Sequence, residues 1–280
     1  MNALVLEGGG FRGMFTAGVL DYFMEQKLDF DETIGVSMGA LIGLNFVSKQ
    51  INRSRDLALD FIYDKKYISY RNLILKGDLV DFKYVFDGEM NRQFPFDEEF
   101  FRKSKKSFFV NVFNLKTGMV EYHNTVQAMQ YKRYIQASAS LPIASKKVRI
   151  DGNLYFDGGV VDSIPFERAI SDGATKIVLI LTRTFEYRKP KQPALWLFRL
   201  RYLRYPKLYR ALKKRHIRYN KLVKQAIQLE KEGKLLIIKP DNELGMGRLE
   251  RDIEKLKYAY SLGYQKAKEV FSKVINYLNN

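Results

Sequence analysis

The sequence MNALVLEGGGFRG at residues 1–13 decides the fold, because a short apolar run ends directly in a glycine-rich turn. Residues 3–6 are apolar and unbroken, which is typical of a buried parallel strand. The residues after the turn place Phe15, Val19 and Phe23 at helical spacing. This stretch therefore predicts a strand-turn-helix unit of the kind that builds a doubly wound α/β sheet.

A second unit of the same kind follows at residues 33–39, with the sequence TIGVSMG. We predict a strand over residues 33–36 and a helix over 38–47. Ser37 lies between Gly35 and Gly39, which leave room for a sharp corner that presents one hydroxyl to a reacting group. This pattern makes Ser37 a candidate nucleophile, and the alternative is a plain turn with a helix-capping serine.

The glycine-rich turn at residues 8–13 allows two interpretations. It matches the Gly-x-Gly-x-x-Gly pattern of a dinucleotide-binding loop, which needs an acidic residue at the carboxyl end of the next strand. Asp29, Asp31 and Glu32 all precede that strand instead. We therefore favour an oxyanion hole, in which bare backbone N–H groups stabilise the charge that develops on an attacked carbonyl.

Composition excludes several classes of protein. The 280 residues are 46% hydrophobic, which suits one large α/β domain with a C-terminal extension. There is no cysteine and only two histidines, so disulfides, a thiolate nucleophile and a zinc site are not expected. We see no signal peptide and no apolar stretch of transmembrane length, and we expect a cytoplasmic protein that is at most peripheral at the inner membrane surface.

The base that would activate Ser37 is not an obvious histidine. His123 and His216 are far apart in the chain, and we expect both to be surface or packing residues. Asp157 ends an apolar run and is followed by two glycines, a position where open α/β sheets carry their chemistry. Asp157 is therefore the candidate base, and the alternative is an ordinary Asp-Gly turn.

These motifs together resemble the patatin-like phospholipases. The resemblance rests on residues 8–13, on 35–39, on ASASLP at 137–142 and on DGG at 157–159, all in the order of that family. It covers about residues 1–185. It implies a three-layer α/β sandwich with a mostly parallel central sheet, followed by a basic helical extension over residues 186–280.

The resemblance also implies the roles of the site residues. Ser37 would be the nucleophile and Asp157 the base of a Ser-Asp dyad that cleaves the acyl ester of a lipid. The remaining site residues would be Gly8, Gly9, Gly10, Arg12 and Gly13 in the oxyanion loop, Gly35 and Gly39 at the nucleophile, and Gly158 and Gly159 beside the base. No metal or organic cofactor is implied. An acyltransferase, a thioesterase or a catalytically silent membrane-binding protein remains an alternative.

The net charge of +17 is concentrated in one segment. Residues 187–229 contain fourteen Lys and Arg residues and no Asp or Glu. The segment contains an aromatic cluster near Trp196 and, after Pro206, an amphipathic helix with a basic face. We predict that both contact an anionic membrane, through Trp196, Phe198, Arg199, Arg201, Arg204, Lys213 and Lys214. The alternative is a helix packed on the core with its aromatic residues buried. No motif indicates nucleic-acid binding.

The other elements are predicted with less detail. We expect a helix over residues 126–139, helical structure over 193–232 with a break at Pro206, and a terminal helix over 249–278. Residues 65–91 are too irregular in pattern for assignment. Strands are expected at 107–115, 119–122, 148–150, 154–156, 177–181 and 235–238.

Overall fold

The computed structural model describes residues 1–280 as a sheet of eight strands with helices on both sides. The strands are β1 (Asn2–Leu6), β2 (Glu32–Gly35), β3 (Ser107–Asn114), β4 (Val120–Asn124), β5 (Val148–Ile150), β6 (Asn153–Asp157), β7 (Lys176–Ile180) and β8 (Leu236–Ile238). The helices before β3 are α1 (Gly13–Glu25), α2 (Met38–Val47), α3 (Arg53–Phe61), α4 (Tyr70–Lys76), α5 (Phe82–Asp87), α6 (Glu89–Gln93) and α7 (Glu98–Lys103). Those after it are α8 (Tyr131–Ser138), α9 (Phe166–Ser171), α10 (Leu195–Arg201), α11 (Pro206–Lys231) and α12 (Ile253–Asn279).

The sheet has the order β5-β6-β3-β2-β1-β7-β8, and β4 pairs with β3. Its central strands β3, β2, β1, β7 and β8 are all parallel. Leu4 and Leu6 of β1 pack against the layer of α1, α2 and α12, whereas Ala3 and Val5 pack against the layer of α9 and α11. This alternation shows that both faces of the central strand are buried, and it confirms the three-layer, mostly parallel α/β fold.

One edge of β3 is shared by two strands. Gly35 of β2 pairs with Val110, and Asp157 of β6 pairs with Val112. At both of these positions β4 occupies the opposite edge of β3. Strands β2 and β6 therefore meet nearly end to end along the same edge, with β2 parallel to β3 and β6 antiparallel to it.

The segment after residue 185 completes the sheet and both helical layers. Strand β8 pairs in parallel with β7, and α11 packs over the sheet through side chains such as Tyr219 and Val223. Helix α12 packs on the opposite side through Leu256 and Ala267. None of the helices is both long and apolar enough to cross a membrane.

One predicted helix needs correction, and one region left unassigned contains helices. The predicted helix over residues 126–139 is wrong at its start, because α8 begins only at Tyr131. The Arg102 guanidinium donates hydrogen bonds to the carbonyls of Val126, Ala128 and Met129, so these oxygens face the side chain rather than a helical turn. Residues 65–91, left unassigned, contain α4 and α5, capped by Ser69 and Asp81, and the start of α6.

Helices α1 and α12 cross with their backbones in close contact at two glycines. A Cβ atom on Gly263 would collide with the carbonyl oxygen of Phe15, and one on Gly18 would collide with that of Tyr260. The Tyr260 hydroxyl also donates a hydrogen bond of 2.7 Å to the buried carboxylate of Asp21. The crossing attaches the last helix firmly to the helix that follows the glycine-rich turn.

We predict that Gly263→Leu destabilises the protein by roughly 3 kcal/mol, because the new side chain has to push α12 away from α1. The free energy of unfolding from urea denaturation measures this loss. Ser272→Leu places the same side chain on an exposed part of α12 and should change the stability by less than about 0.5 kcal/mol. Equal stability of the two variants would contradict the close crossing.

Candidate active site

Ser37 lies at a strained corner between β2 and α2. Its backbone has φ 57° and ψ −121°, a conformation that residues other than glycine rarely adopt. The Ser37 side chain makes no capping hydrogen bond to α2, which removes support for the helix-capping alternative. The Ser37 N–H instead donates to Oγ of Ser138 at 3.0 Å. The corner therefore presents the hydroxyl away from the helix, toward the cavity that Ser37 lines.

Asp157 lies at the end of β6 and is only 2% exposed. Its Oδ1 accepts a hydrogen bond of 2.7 Å from the Gly159 N–H, and its own N–H donates to the Ser140 carbonyl at 2.8 Å. Ser138 and Ser140 both belong to the ASASLP segment at residues 137–142. That segment therefore holds the backbones of Ser37 and Asp157 at the same time.

The pKa of Asp157 reflects opposing influences. Burial raises this pKa above its ordinary value, whereas the Arg215 guanidinium, the Gly159 N–H and the Ser37 hydroxyl each lower it. Burial prevails, so the pKa of Asp157 is raised overall. A raised pKa makes the carboxylate a better acceptor for a proton near neutral pH.

Arg215 is a site residue that the sequence analysis missed. It is buried on α11, and its Nε donates to the Gly159 carbonyl at 2.8 Å. The charge pattern marks it only as one of the basic residues of the segment. The signal was its spacing, because Arg215 falls on the apolar stripe formed by Leu208, Leu212, Tyr219 and Leu222. An arginine on the buried face of an amphipathic helix needs an internal partner.

The glycine-rich turn leaves two backbone donors free. The N–H groups of Gly9 and Gly10 make no hydrogen bond within the protein, whereas that of Gly8 donates to the Ser163 carbonyl at 3.2 Å. Gly10 has φ +61°, and a Cβ at this position would collide with the carbonyl of Arg248. Because its N–H is already bonded, Gly8 is not available as the third donor that the resemblance suggested.

The buried side chains of Glu7 and Arg12 attach the glycine-rich turn to neighbouring segments. Oε2 of Glu7 accepts hydrogen bonds from the N–H and the hydroxyl of Thr182, at 2.6 and 3.0 Å, and Oε1 accepts one from the Tyr219 hydroxyl at 2.7 Å. The Arg12 guanidinium donates to the Met246 carbonyl at 3.5 Å. Burial, and next the nearby Arg183, lower the pKa of Arg12 to about 10. The turn is thus attached to β7, α11 and the chain before α12.

Ser37 and Asp157 line one cavity with about 860 Å³ of empty space, together with Gly9, Gly10 and Arg215. A second cavity of about 670 Å³ adjoins it and shares the side chains of Phe11, Met38, Leu41 and Tyr67. Thirteen of the sixteen residues that line the second cavity are hydrophobic. The first cavity therefore contains Ser37 and Asp157, and the second extends it with a mostly apolar space.

The remaining predicted residues are distributed as follows. Gly13 begins α1, Gly35 ends β2, Gly39 is in the first turn of α2, and Gly158 follows Asp157 directly. Neither histidine lines the cavity of Ser37, and His123 stacks on Tyr134 with ring centroids 4.0 Å apart.

The alternative prediction for the basic segment, a helix packed on the core with its aromatic residues buried, fails at one aromatic residue. Trp196 is 63% exposed, so the alternative in which it packs on the core is wrong for this side chain. Phe198 is half-buried against the cluster around Phe156. The five basic residues predicted to contact a membrane, Arg199, Arg201, Arg204, Lys213 and Lys214, are all exposed.

Comparison with known families assigns the class. The family model described as patatin-like phospholipase matches residues 4–170, and the chain belongs to this family. A second model, described as a domain of unknown function (DUF6363), matches residues 205–279. The catalytic candidates thus lie in the first matched region, while Arg215 and Arg248 lie in the second.

Particular proteins resemble all or part of this chain. The chain is 30% identical over 185 residues to the uncharacterized protein YjjU of Escherichia coli, covering 64% of this chain and 51% of that protein. It is 28% identical over 183 residues to lysophospholipase NTE1 of Coccidioides immitis, covering 63% of this chain and 11% of that protein. The crystal structure of VipD from Legionella pneumophila superposes with a TM-score of 0.52 at 14% identity, over 97% of this chain and 67% of that one, and shows the shared fold.

Proposed function

We propose that the protein hydrolyses the acyl ester of a lipid through an acyl-enzyme on Ser37, with Asp157 as the base. The observation that carries this proposal is the joint position of the two residues. Residues 137–142 hold Ser37 and Asp157 at one cavity, in front of the free N–H groups of Gly9 and Gly10. The name of the lysophospholipase relative supports an ester in a lipid as the substrate.

The reaction follows from this arrangement. The Asp157 carboxylate takes the proton of the Ser37 hydroxyl while Oγ attacks the ester carbonyl. The resulting oxyanion accepts hydrogen bonds from the N–H groups of Gly9 and Gly10. Collapse breaks the bond to the alcohol, which receives the proton from Asp157. Water then attacks the acyl-enzyme, again with Asp157 as base, and releases the fatty acid and free Ser37.

We predict that Ser37→Ala and Asp157→Asn each lower kcat by at least about 1,000-fold on a p-nitrophenyl ester, because each removes one member of the dyad. Labelling by a fluorophosphonate should occur in the wild type and be absent in Ser37→Ala. The exposed Ser171→Ala and Asp151→Asn serve as matched controls with unchanged turnover. Turnover at the wild-type rate in either dyad variant would refute the mechanism.

An acyltransferase would form the same acyl-enzyme, so the products have to be measured as well. Hydrolysis yields free fatty acid even when an alcohol or a lysolipid is added in excess. Transfer of most of the acyl group to that acceptor would contradict the hydrolase and favour the transferase.

The apolar cavity is proposed to hold the acyl chain. It begins beside Ser37, where Met38 and Leu41 line both cavities, and it continues to Leu57 and Ala58 of α3. Most of this lining is apolar, and the polar residues Asn45, Arg53 and Ser54 are hydrogen-bonded to one another, so a fatty acyl chain suits the cavity better than a polar ligand does.

We predict that Ala58→Phe shortens the preferred acyl chain, because the ring fills the far part of this cavity. The ratio of kcat/KM for a C16 ester over a C4 ester should fall about tenfold, which corresponds to the loss of burial for a few methylenes. Ala58→Ser changes little volume at the same position and should keep the wild-type ratio. An unchanged ratio in the Phe variant would place the acyl chain elsewhere.

We further propose that α10 contacts an anionic membrane, in keeping with a substrate that lies in a bilayer. Trp196, Leu200 and Leu203 are 63%, 61% and 69% exposed and follow each other at helical spacing. Arg199 and Arg201 lie between them, and Arg204 follows Leu203 directly. Exposed apolar residues flanked by cations are typical of helices that lie in the interface of an anionic bilayer.

The position of α10 near the cavity of Ser37 supports its proposed contact with the membrane. The Tyr202 hydroxyl, just after α10, accepts a hydrogen bond of 2.8 Å from the Ile143 N–H. The neighbouring Ala144 lines the cavity of Ser37, and its carbonyl accepts a hydrogen bond from the Leu79 N–H at 2.8 Å. Helix α10 therefore lies beside the rim of the cavity into which a lipid would enter.

We predict that the double variant Trp196→Ser and Leu200→Ser reduces sedimentation with vesicles that contain phosphatidylglycerol by about tenfold, because two apolar side chains no longer enter the interface. The wild type should bind these vesicles and not vesicles of phosphatidylcholine alone. Tyr258→Ser removes an equally exposed side chain from α12 and should bind as the wild type does. Equal binding to both vesicle types would contradict the membrane proposal.

A further inference from the structure

A third cavity, lined mostly by polar residues, lies beside the cavity of Ser37. It contains about 590 Å³ of empty space and is lined by Tyr187, Lys189, Arg215, His216 and Arg248, among others. Arg215 and Arg248 also line the cavity of Ser37 and Asp157. Arg215 and Arg248 are therefore shared by the cavity of Ser37 and by a smaller chamber lined by basic residues.

The cations of this chamber lack partners. Lys189, Arg215 and Arg248 form no ion pair with any carboxylate, although the chain contains many salt bridges elsewhere. Arg215 is only 9% exposed, yet it uses only Nε, in the hydrogen bond to the Gly159 carbonyl. Its two terminal nitrogens have no acceptor in the protein, and buried guanidinium groups normally have one.

Lys189 is a second basic group without a partner. Its side-chain nitrogen has no hydrogen-bond acceptor and lies over the ring of Tyr219, 4.0 Å from the centroid. Glu7, whose charge acts on Lys189, is bonded to Thr182 and Tyr219 instead. Burial, followed by the charges of Arg215 and Arg248, lowers the pKa of Lys189 to about 6. Near neutral pH Lys189 is therefore mostly uncharged, and an anion bound beside it would raise its pKa and restore its positive charge.

We propose that Lys189, Arg215 and Arg248 bind the phosphate of a phospholipid headgroup while the acyl ester of the same molecule lies at Ser37. A phosphate oxygen accepts strong charge-assisted hydrogen bonds from guanidinium and ammonium groups. In a glycerophospholipid only the glycerol carbons separate the ester from the phosphate, and the two cavities likewise adjoin through the shared residues Arg215 and Arg248. The inference rests on the proposed function and adds a headgroup class to it.

The test compares two substrates that differ only in the phosphate. They are 1-octanoyl-glycerol 3-phosphate and 1-octanoyl-glycerol, used below their micellar concentrations so that no charged lipid surface contributes. We expect the wild type to prefer the phosphate ester in kcat/KM. Lys189→Met should lower this preference about tenfold, the loss expected for one charge-assisted hydrogen bond.

A matched control and a binding measurement accompany the kinetics. Lys224→Met removes an exposed cation from α11 and should keep the wild-type preference. In the Ser37→Ala protein, which cannot cleave the ester, 1-octanoyl-glycerol 3-phosphate should raise the melting temperature. This rise should vanish when Lys189→Met is added, and the melting temperature of Lys189→Met alone reports whether that variant is folded.

The outcomes separate the two levels of the argument. Hydrolysis of both substrates without preference, or a preference that Lys189→Met leaves unchanged, would overturn the phosphate site and leave the hydrolase intact. Cleavage of neither substrate nor of any p-nitrophenyl ester would overturn the proposed function itself. If inorganic phosphate stabilises Ser37→Ala as strongly as the lipid phosphate does while no headgroup preference exists, the cluster binds free phosphate and the headgroup assignment is wrong.

Discussion

The pairing of two strands with one edge of β3 is the constraint on which the site depends. Strand β2 arrives at this edge in parallel and ends opposite Val110, while β6 arrives antiparallel and ends opposite Val112. The corner after β2 carries Ser37, and the end of β6 is Asp157. Because the backbone of β3 pairs with the ends of both strands, it brings Ser37 and Asp157 close together from strands of opposite direction. Residues 137–142 then join the two ends by hydrogen bonds to Ser138 and Ser140.

The C-terminal segment is attached to the site rather than appended to the fold. Tyr219 of α11 binds the carboxylate of Glu7 directly before the glycine-rich turn, and Arg215 binds the carbonyl of Gly159, two residues after Asp157. The Arg248 carbonyl accepts a hydrogen bond from Phe11 inside the turn. Buried charges of this kind are costly unless they are paired, so each contact ties the conformation of the active-site turns to the folding of the last hundred residues.

The sequence predicted what local pattern controls. The strand-turn-helix units around Gly9 and Ser37, the apolar stripe of α11 and its start at Pro206 all follow from periodicity and turn chemistry. The failures came from distant contacts. Residues 126–130 have a helical pattern, but their carbonyls bind Arg102 from a preceding helix. The sequence also gave no sign that β6 runs against β3, and the charge pattern of the basic segment concealed Arg215 as a buried residue.

The charges around Asp157 suggest why a site without histidine would use such a cluster. Burial raises the pKa of Asp157, and Arg215 acts against this effect more strongly than any other neighbour. The Arg215 cation therefore favours the ionised form of the carboxylate, and it makes Asp157 a weaker base than burial alone would. A phosphate bound to Arg215 would offset that positive charge and raise the pKa of Asp157 further. The base would then be strongest when the headgroup is in place, so a substrate with phosphate would improve the catalyst that cleaves it.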